Sequence, residues 1–284
     1  MAGRIRYGEI ISAIMLLSIS LTVLPQQYGI HISPGGSITA GEASEITIND
    51  GSLVNDGSFI AQTDNTVTFN GNTIQEIGGA VQTTFSNLTV NSTAGIRIAG
   101  EAVSVKRVLM CNGLLETNGK ITLLSGENGT ALIDGAGSGT INGNVTMQRY
   151  LPSGFGYRYL SSPFTNAKVS ELDDEAIESI YSFDENRQVG GEPASGWVYH
   201  YNPLNLLSAM SGYAVNFGPD AGPLTIDVTG EVNNGDMSGT VYSNNQPYTA
   251  GFNLVGNPYP SPVDWNRINL LNTNIDDAVY YFSG

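Results

Sequence analysis

Short runs of alternating apolar and polar residues recur through the first half of the chain, and each run ends in an asparagine. The step between successive asparagines is constant at 21 residues. A unit of about 20 residues cannot bury its own apolar side, so it must stack on copies of itself. The pattern therefore predicts a parallel β-solenoid with coils of about 21 residues. The asparagines are Asn49, Asn70, Asn91 and Asn112, and the runs before them are residues 46–48, 67–69, 88–90 and 109–111.

Stacked coils bring equivalent residues to about 4.8 Å from one another. We expect the threonines of each run to face outward and the Ile, Val, Leu and Phe side chains to face inward. The asparagines are expected to hydrogen-bond along the stack and to adopt the left-handed conformation of a corner. A second row, with the same step, is expected to supply positive φ at another corner. This row contains Gly36, Gly57, Gly78 and, in fourth place, Ala99.

The single cysteine, Cys111, falls in register with Ile48, Phe69 and Val90. This position predicts a small buried apolar residue rather than a reactive thiol. One cysteine excludes an intrachain disulfide, and two histidines offer little for metal binding. We therefore expect no metal site and no cofactor.

Beyond residue 112 the period loosens, although strand-like runs continue at residues 121–123, 131–133 and 145–147. Asn-Gly pairs between these runs mark turns. We assign residues 28–149 to the solenoid, as five or six coils of which four are regular. Its runs are too short for the strands of a transmembrane barrel.

Residues 150–284 are richer in aromatic residues and prolines, and the 21-residue step is absent. Short strands separated by turns predict an antiparallel β-sandwich-like module. A helix is expected from Ser170 to Ile180, capped by Ser170. The expected strands are residues 157–161, 197–201, 213–217, 224–228, 239–243, 252–255 and 278–282.

The N-terminus has the features of an export signal. Arg4 and Arg6 precede an uncharged apolar run at residues 10–24, and Pro25 follows it. The run is short for a membrane span, so we assign residues 1–27 to a signal peptide and expect a secreted or outer-surface location. The alternative is an uncleaved anchor. Membrane contact is expected only through this signal.

The negative net charge of the chain argues against some classes of binding partner. The formal net charge is -15 and the pI is about 4.3, so nucleic acid is not an expected partner. Acidic residues in the solenoid do not share a register, and we expect no catalytic site. The cluster Glu171, Asp173, Asp174, Glu175 and Glu178 is expected to be a solvated helix start, with Ca²⁺ binding left open.

Trp197, Tyr199 and Tyr201 alternate and so lie on one face of a strand. An exposed aromatic stripe would stack on sugar rings, whereas a buried stripe would form the core of the module. The core interpretation is favoured, and the three residues remain the candidates for ligand binding.

Several segments resemble the large surface proteins that Bacteroidetes export by type IX secretion. The most specific is GFNLVGNPYPSPVDW at residues 251–265. The resemblance implies secretion or surface display and supplies no catalytic residues. Such proteins usually carry a C-terminal sorting domain; this chain stops at Gly284 just after an expected strand, and whether it is a fragment of a longer protein is left open. The other segments are residues 84–91, 149–152, 159–163, 211–215 and 274–282.

Together these features predict a non-catalytic secreted or surface-displayed protein, structural or adhesin-like, with glycans or other surface proteins as partners. The alternative is a carbohydrate-binding or carbohydrate-degrading surface protein, because β-solenoids also carry polysaccharide-cleaving sites.

Overall fold

The computed structural model describes residues 29–172, 177–187, 189–190, 192, 195–219, 222–244, 247–268, 275 and 280. The predicted signal peptide lies outside the described residues. The fold is nearly all β, with 45% strand and 3% helix. A parallel β-solenoid of about six turns is followed by antiparallel sheets, which confirms the predicted fold class. Within the described ranges, no helix has the length and apolarity needed to cross a bilayer.

The solenoid contains seventeen strands, and β17 is the strand that ends it. In chain order they are β1 (Ile30–Ile32), β2 (Ser37–Ala40), β3 (Glu45–Asn49), β4 (Leu53–Asn55), β5 (Ser58–Ala61), β6 (Thr66–Asn70), β7 (Gln75–Gly78), β8 (Thr83–Val90), β9 (Ile96–Ile98), β10 (Val103–Cys111), β11 (Leu114–Glu116), β12 (Ile121–Leu123), β13 (Ser125–Gly126), β14 (Gly129–Thr130), β15 (Leu132–Ile133), β16 (Thr140–Asn142) and β17 (Asn144–Leu151).

Two long parallel sheets run along the solenoid axis, and β2 and β5 form a third, two-stranded parallel sheet. One has the order β1-β4-β7-β9-β11-β16, and the other contains β3-β6-β8-β10-β12-β17. In the second sheet Ile48 pairs with Phe69, Phe69 with Val90 and Val90 with Cys111. All four side chains are buried, so the predicted register and its inward row are confirmed.

The asparagine row is also confirmed, but not the backbone conformation expected of it. Asn49 pairs with Asn70, and Asn112 donates a side-chain hydrogen bond to Asn91 at 2.7 Å. None of these asparagines has positive φ. After Asn49 and Asn70 the left-handed residue is instead the next one in the chain, since Asp50 has φ 51° and Gly71 has φ 136°.

The expectation of positive φ at Gly36, Gly57 and Gly78 is wrong, since none of them lies in the left-handed region. Gly57 is needed for a different reason. A Cβ atom there would lie 2.5 Å from the carbonyl oxygen of Gly36, so the two coils pack backbone against backbone. Gly78 pairs with Val54 and has open space around it.

The second module is joined to the solenoid through β17, which crosses the boundary placed after residue 149. The strands of this module are β18 (Tyr157–Ser161), β19 (Ser179–Phe183), β20 (Trp197–Tyr199), β21 (Gly212–Asn216) and β22 (Leu224–Glu231). β22 pairs antiparallel with all eight residues of β17, from Asn144 with Glu231 to Leu151 with Leu224. The module thus extends the solenoid sheet by one strand.

The other four strands form an antiparallel sheet with the order β18-β21-β19-β20. The helix expected from Ser170 to Ile180 is wrong in extent. Among the described residues of this stretch, the helix α1 (Val169–Leu172) covers one turn, and Ile180 lies in the strand β19. Residues 239–243 and 252–255 form no strand, and the run at 278–282 lies mostly outside the described residues.

Candidate functional site

The antiparallel sheet of the second module has two contrasting faces because alternate residues of a strand point to opposite sides. One face carries Ile180, Tyr213 and Val215, which are buried in the core. The opposite face carries tyrosines from three strands. The sheet therefore packs one side on the protein and presents the other to solvent.

The strand register places the tyrosines in rows across the sheet. Tyr159 pairs with Ala214, Ala214 with Tyr181, and Tyr181 with Tyr199. Directly paired residues share a face, so these four side chains form one row. Tyr157 belongs to the adjacent row, and Tyr201 follows the end of β20. We call Tyr157, Tyr159, Tyr181, Tyr199 and Tyr201 the tyrosine platform.

The rings of the platform form a nearly continuous surface. The centroid distance is 6.5 Å from Tyr157 to Tyr181, 5.2 Å from Tyr181 to Tyr199 and 6.5 Å from Tyr199 to Tyr201. Tyr157, Tyr159, Tyr199 and Tyr201 are 49%, 45%, 49% and 81% exposed. Four large amphipathic side chains thus lie side by side in solvent.

Small residues on β21 make this arrangement possible. Tyr157 on β18 and Tyr181 on β19 lie on opposite sides of β21, which contributes Gly212, Ala214 and Asn216 to this face. The Tyr157 and Tyr181 ring centroids are 6.5 Å apart across β21, where Gly212 and Ala214 present little side-chain bulk. A larger side chain at residue 214 would separate the two rings.

One end of the aromatic face is covered by a later segment of the chain. Gly212 donates its backbone N–H to the carbonyl of Leu254 at 3.0 Å, and Gly256 donates to Met210 at 2.9 Å. Ser161 also donates its hydroxyl to the carbonyl of Asn257 at 3.2 Å. This segment lies within residues 251–265, and its structural role is to close one end of the face.

The three predicted aromatic residues therefore differ in their environment. Trp197 is half-buried, and its indole packs edge-on against Phe183 with centroids 5.2 Å apart. For Tyr199 and Tyr201 the core interpretation is wrong, because both side chains are exposed. Among the strands that the structure describes, β20 lies at the edge of its sheet, a position that alternation alone cannot reveal.

Polar groups line the margin of the platform. Asn216 donates a side-chain hydrogen bond to Glu178 at 3.3 Å, and Ser179 pairs with Asn216 across the sheet. His200 points to the opposite face, where its Nε2 lies 2.9 Å from the Ser182 hydroxyl. Burial lowers the pKa of His200, so its imidazole is neutral at pH 7.

A buried carboxylate that sequence reasoning missed holds the loop beside this sheet. Glu185 follows β19 and is 1% exposed. It accepts hydrogen bonds from the Asn244 backbone at 2.8 Å, the Asn244 side chain at 2.7 Å and the Gly251 backbone at 3.2 Å. These contacts fix Asn244 and Gly251 beside the sheet. Partners 59 or more residues away give no local sequence signal.

Acidic residues of the solenoid have structural partners. Asp50 accepts the backbone N–H groups of Asn72 and Thr73, which lower its pKa. Asp56 accepts the N–H of Ala80 and pairs with His31, and both contacts lower its pKa. In the part of the chain that the structure describes, no three His, Cys, Asp or Glu side chains are grouped to hold a metal. Asp173, Asp174 and Glu175 lie outside that part.

A family model described as a domain of unknown function, DUF8693, matches residues 57–284. The match spans most of the solenoid together with the second module, so it treats the two as parts of one family unit. No curated protein and no solved structure gives a significant match to the chain.

Proposed function

The chain belongs to the DUF8693 family, and we propose that it is a non-catalytic, adhesin-like protein that is secreted or displayed on the outer cell surface. The observation that carries this proposal is the tyrosine platform. In this view the solenoid is a rigid spacer, and the second module presents a binding face.

The rigidity of the spacer follows from its hydrogen bonding. The sheet that begins at β3 continues through β10, which carries a bulge, and through β17 to β22, a strand of the second module. Eight paired residues join β17 to β22, so the connection is a sheet rather than a flexible linker. A binding face on the module would keep a fixed orientation relative to the spacer.

The chemistry of the platform suits binding. A tyrosine offers a large ring and a hydroxyl group, and little conformational freedom is lost when it is immobilised. Contiguous exposed apolar surface on a soluble protein marks an interaction site. The rings, the Ser179 hydroxyl and the Asn216 amide would bind a partner by stacking and hydrogen bonding.

The second candidate is a carbohydrate-binding or carbohydrate-degrading surface protein. The observation that favours it is the line of rings from Tyr157 to Tyr201 with polar groups along one margin. A sugar presents a C–H face that packs on an aromatic ring, and hydroxyls that hydrogen-bond at its edge. Release of reducing ends from a bound glycan would distinguish degradation from binding.

Export through the outer membrane is part of the proposal. It is supported by the basic and apolar N-terminal sequence and by the resemblance to Bacteroidetes proteins of the type IX pathway. Protease treatment of intact cells tests it. Either digestion of the protein on intact cells or its recovery from the medium is expected. Resistance to protease on intact cells together with absence from the medium would reject the location.

Binding is tested by screening the protein on a glycan array and on an array of extracellular proteins. The informative variant is Tyr199→Ala, because this ring is exposed and its loss leaves the core intact. Tyr248→Ala, an exposed aromatic residue outside the platform, is the matched control. Partners retained by the control and lost by Tyr199→Ala support the proposal. Identical array profiles for the two variants, or no partner at all, would reject it.

A further inference from the structure

One corner of the solenoid changes length from coil to coil. In the first two coils four residues separate the strands on either side of this corner. In the third coil β8 runs straight through, and since Asn87 pairs with Thr66 only Ser86 occupies the corner. The fourth and fifth coils are longer again. The corner segments are residues 41–44, 62–65, 86, 106–107 and 124–131.

The fourth coil carries a β-bulge at this corner. The pairing of β10 with β8 shifts register between Val105 and Val108, so Lys106 and Arg107 together oppose Ser86. A bulge removes residues from the regular ladder and redirects their side chains. Both cationic side chains are exposed to solvent.

In the fifth coil a β-hairpin projects beside the bulge. The chain leaves the coil at Leu124, forms the hairpin of β13 and β14, and returns at Ala131, whose N–H donates to Leu124 at 2.8 Å. Ser125 fixes the hairpin by accepting the backbone N–H of Tyr150 at 2.9 Å. The hairpin therefore projects from the solenoid in a defined direction.

The short third coil leaves a depression between the hairpin and the turns of the first two coils. This corner groove has a volume of about 760 Å³. It crosses five coils, so its length is about 19 Å at 4.8 Å per coil step. Its lining is mainly polar and consists of Glu42, residues 61–63, Ser86, Lys106, Arg107 and residues 124–129.

Charge is distributed unevenly along the corner groove. Arg107 binds Asp64, with Nε and Oδ1 2.7 Å apart. Among the described residues, Lys106 has no carboxylate within 4.0 Å. Glu42 belongs to the first coil and Glu127 to the hairpin of the fifth coil, so the groove has cations between its acidic ends. Because Asp64 balances the charge of Arg107, Lys106 supplies the positive charge that is available to a ligand in this groove.

We propose that the corner groove is a second binding site, which takes an elongated glycan with a single carboxylate or sulfate group, placed at Lys106 between the two acidic ends of the groove. The hydroxyls and amides of Thr63, Gln62 and Asn128 would exchange hydrogen bonds with sugar hydroxyls. The Lys106 ammonium supplies a charge-assisted hydrogen bond to the anionic group. This site lies on the solenoid and does not depend on the tyrosine platform.

Titration calorimetry of the whole protein tests the proposal with three probes of equal length: malto-oligosaccharides that carry one uronate, malto-oligosaccharides that carry one sulfate, and neutral malto-oligosaccharides. At least one acidic probe is expected to bind more tightly than the neutral one, and binding is expected to weaken as salt is added. Lys106→Ala is expected to weaken binding about tenfold, the loss of one charge-assisted hydrogen bond. Lys120→Ala removes an exposed cation elsewhere on the solenoid and is the matched control.

Loss of affinity in Lys106→Ala and not in Lys120→Ala would support the site, and the acidic probe that binds would identify the anionic group. Equal affinity for neutral and acidic probes would overturn the proposal. So would equal affinity of the two variants, or no binding of either acidic probe. Tyr199→Ala should leave binding in the corner groove unchanged, which separates this result from the test of the platform.

Discussion

The Asn70 side chain donates a hydrogen bond from Nδ2 to Oδ1 of Asn49 at 3.0 Å, although 21 residues separate the two in the chain. Asn112 and Asn91 repeat the contact at 2.7 Å with the same separation. Each pair joins two neighbouring coils at the same position in the coil. One 21-residue repeat of the sequence therefore corresponds to one coil of the solenoid.

Replacement of Asn112 tests the energetic value of this contact. Asn112→Ala removes the donor to Asn91 and is expected to lower the free energy of unfolding by about 1 kcal/mol. Asn112→Asp is expected to cost more, because its carboxylate would face the Asn91 oxygen. Urea denaturation measures both, with Asn128→Ala in the exposed hairpin as control. Equal stability of Asn112→Ala and the control would show that the contact contributes nothing.

Gly57 and Gly78 stand in the same sequence row but are expected to respond differently to alanine. A Cβ at residue 57 would lie 2.5 Å from backbone oxygens of Gly36 and Ser33, whereas a Cβ at residue 78 meets nothing within 4 Å. Gly57→Ala should therefore destabilise the protein by about 1–3 kcal/mol through overpacking. Gly78→Ala should have little effect. Thermal denaturation of both variants measures the difference. A larger loss of stability in Gly78→Ala than in Gly57→Ala would contradict the backbone packing of the coils.

Cys111 is expected to be unreactive in the folded protein. Burial raises the pKa of its thiol from 9.0 to about 11, so the reactive thiolate is scarce at neutral pH. Ellman's reagent should react slowly with the native protein and quickly in denaturant. Fast reaction with the native protein would show that the inward position is wrong.

The same pKa predicts a loss of stability at high pH. The folded state holds the thiol proton more tightly than the unfolded state, so this contribution is complete below pH 9 and is lost as pH rises toward 11. Cys111→Val removes the titrating group and preserves an apolar side chain. The wild-type protein should therefore lose more stability than Cys111→Val between pH 9 and pH 11.

The pairing of β22 with β17 predicts that damage to the second module spreads into the solenoid. Ile226 is buried in β22, and its neighbour Asp227 is exposed. Ile226→Ala should lower the free energy of unfolding by about 2–5 kcal/mol, whereas Asp227→Ala should be nearly neutral. Hydrogen exchange should accelerate in β17 for Ile226→Ala. Unchanged exchange in β17 would show that the two parts are energetically independent.

The regular coils could be predicted from sequence because each contact there repeats at a fixed separation. The 21-residue period alone is enough to predict the buried row formed by Ile48, Phe69, Val90 and Cys111. The bulge at Lys106 and Arg107 could not be found in the same way, because it depends on the unequal lengths of two neighbouring coils.

Prediction was weaker in the second module for related reasons. Ile177 and Ile180 have helical spacing, but Ile180 pairs with Val215 across a sheet, and tertiary pairing outweighs a local pattern. Tyr199 was expected in the core because alternation gives the face of a strand and not what covers that face. The platform requires the strand order, which brings together residues 157, 181 and 199.

The central claim, that the tyrosine platform is the binding face, is tested most directly by the affinity of the strongest array partner for two variants. Tyr199→Ala is expected to bind about tenfold more weakly than the wild-type protein, as expected for an exposed aromatic residue at the centre of an interface. Tyr248→Ala should bind like the wild-type protein. Wild-type affinity in Tyr199→Ala would place the binding site elsewhere and contradict the account.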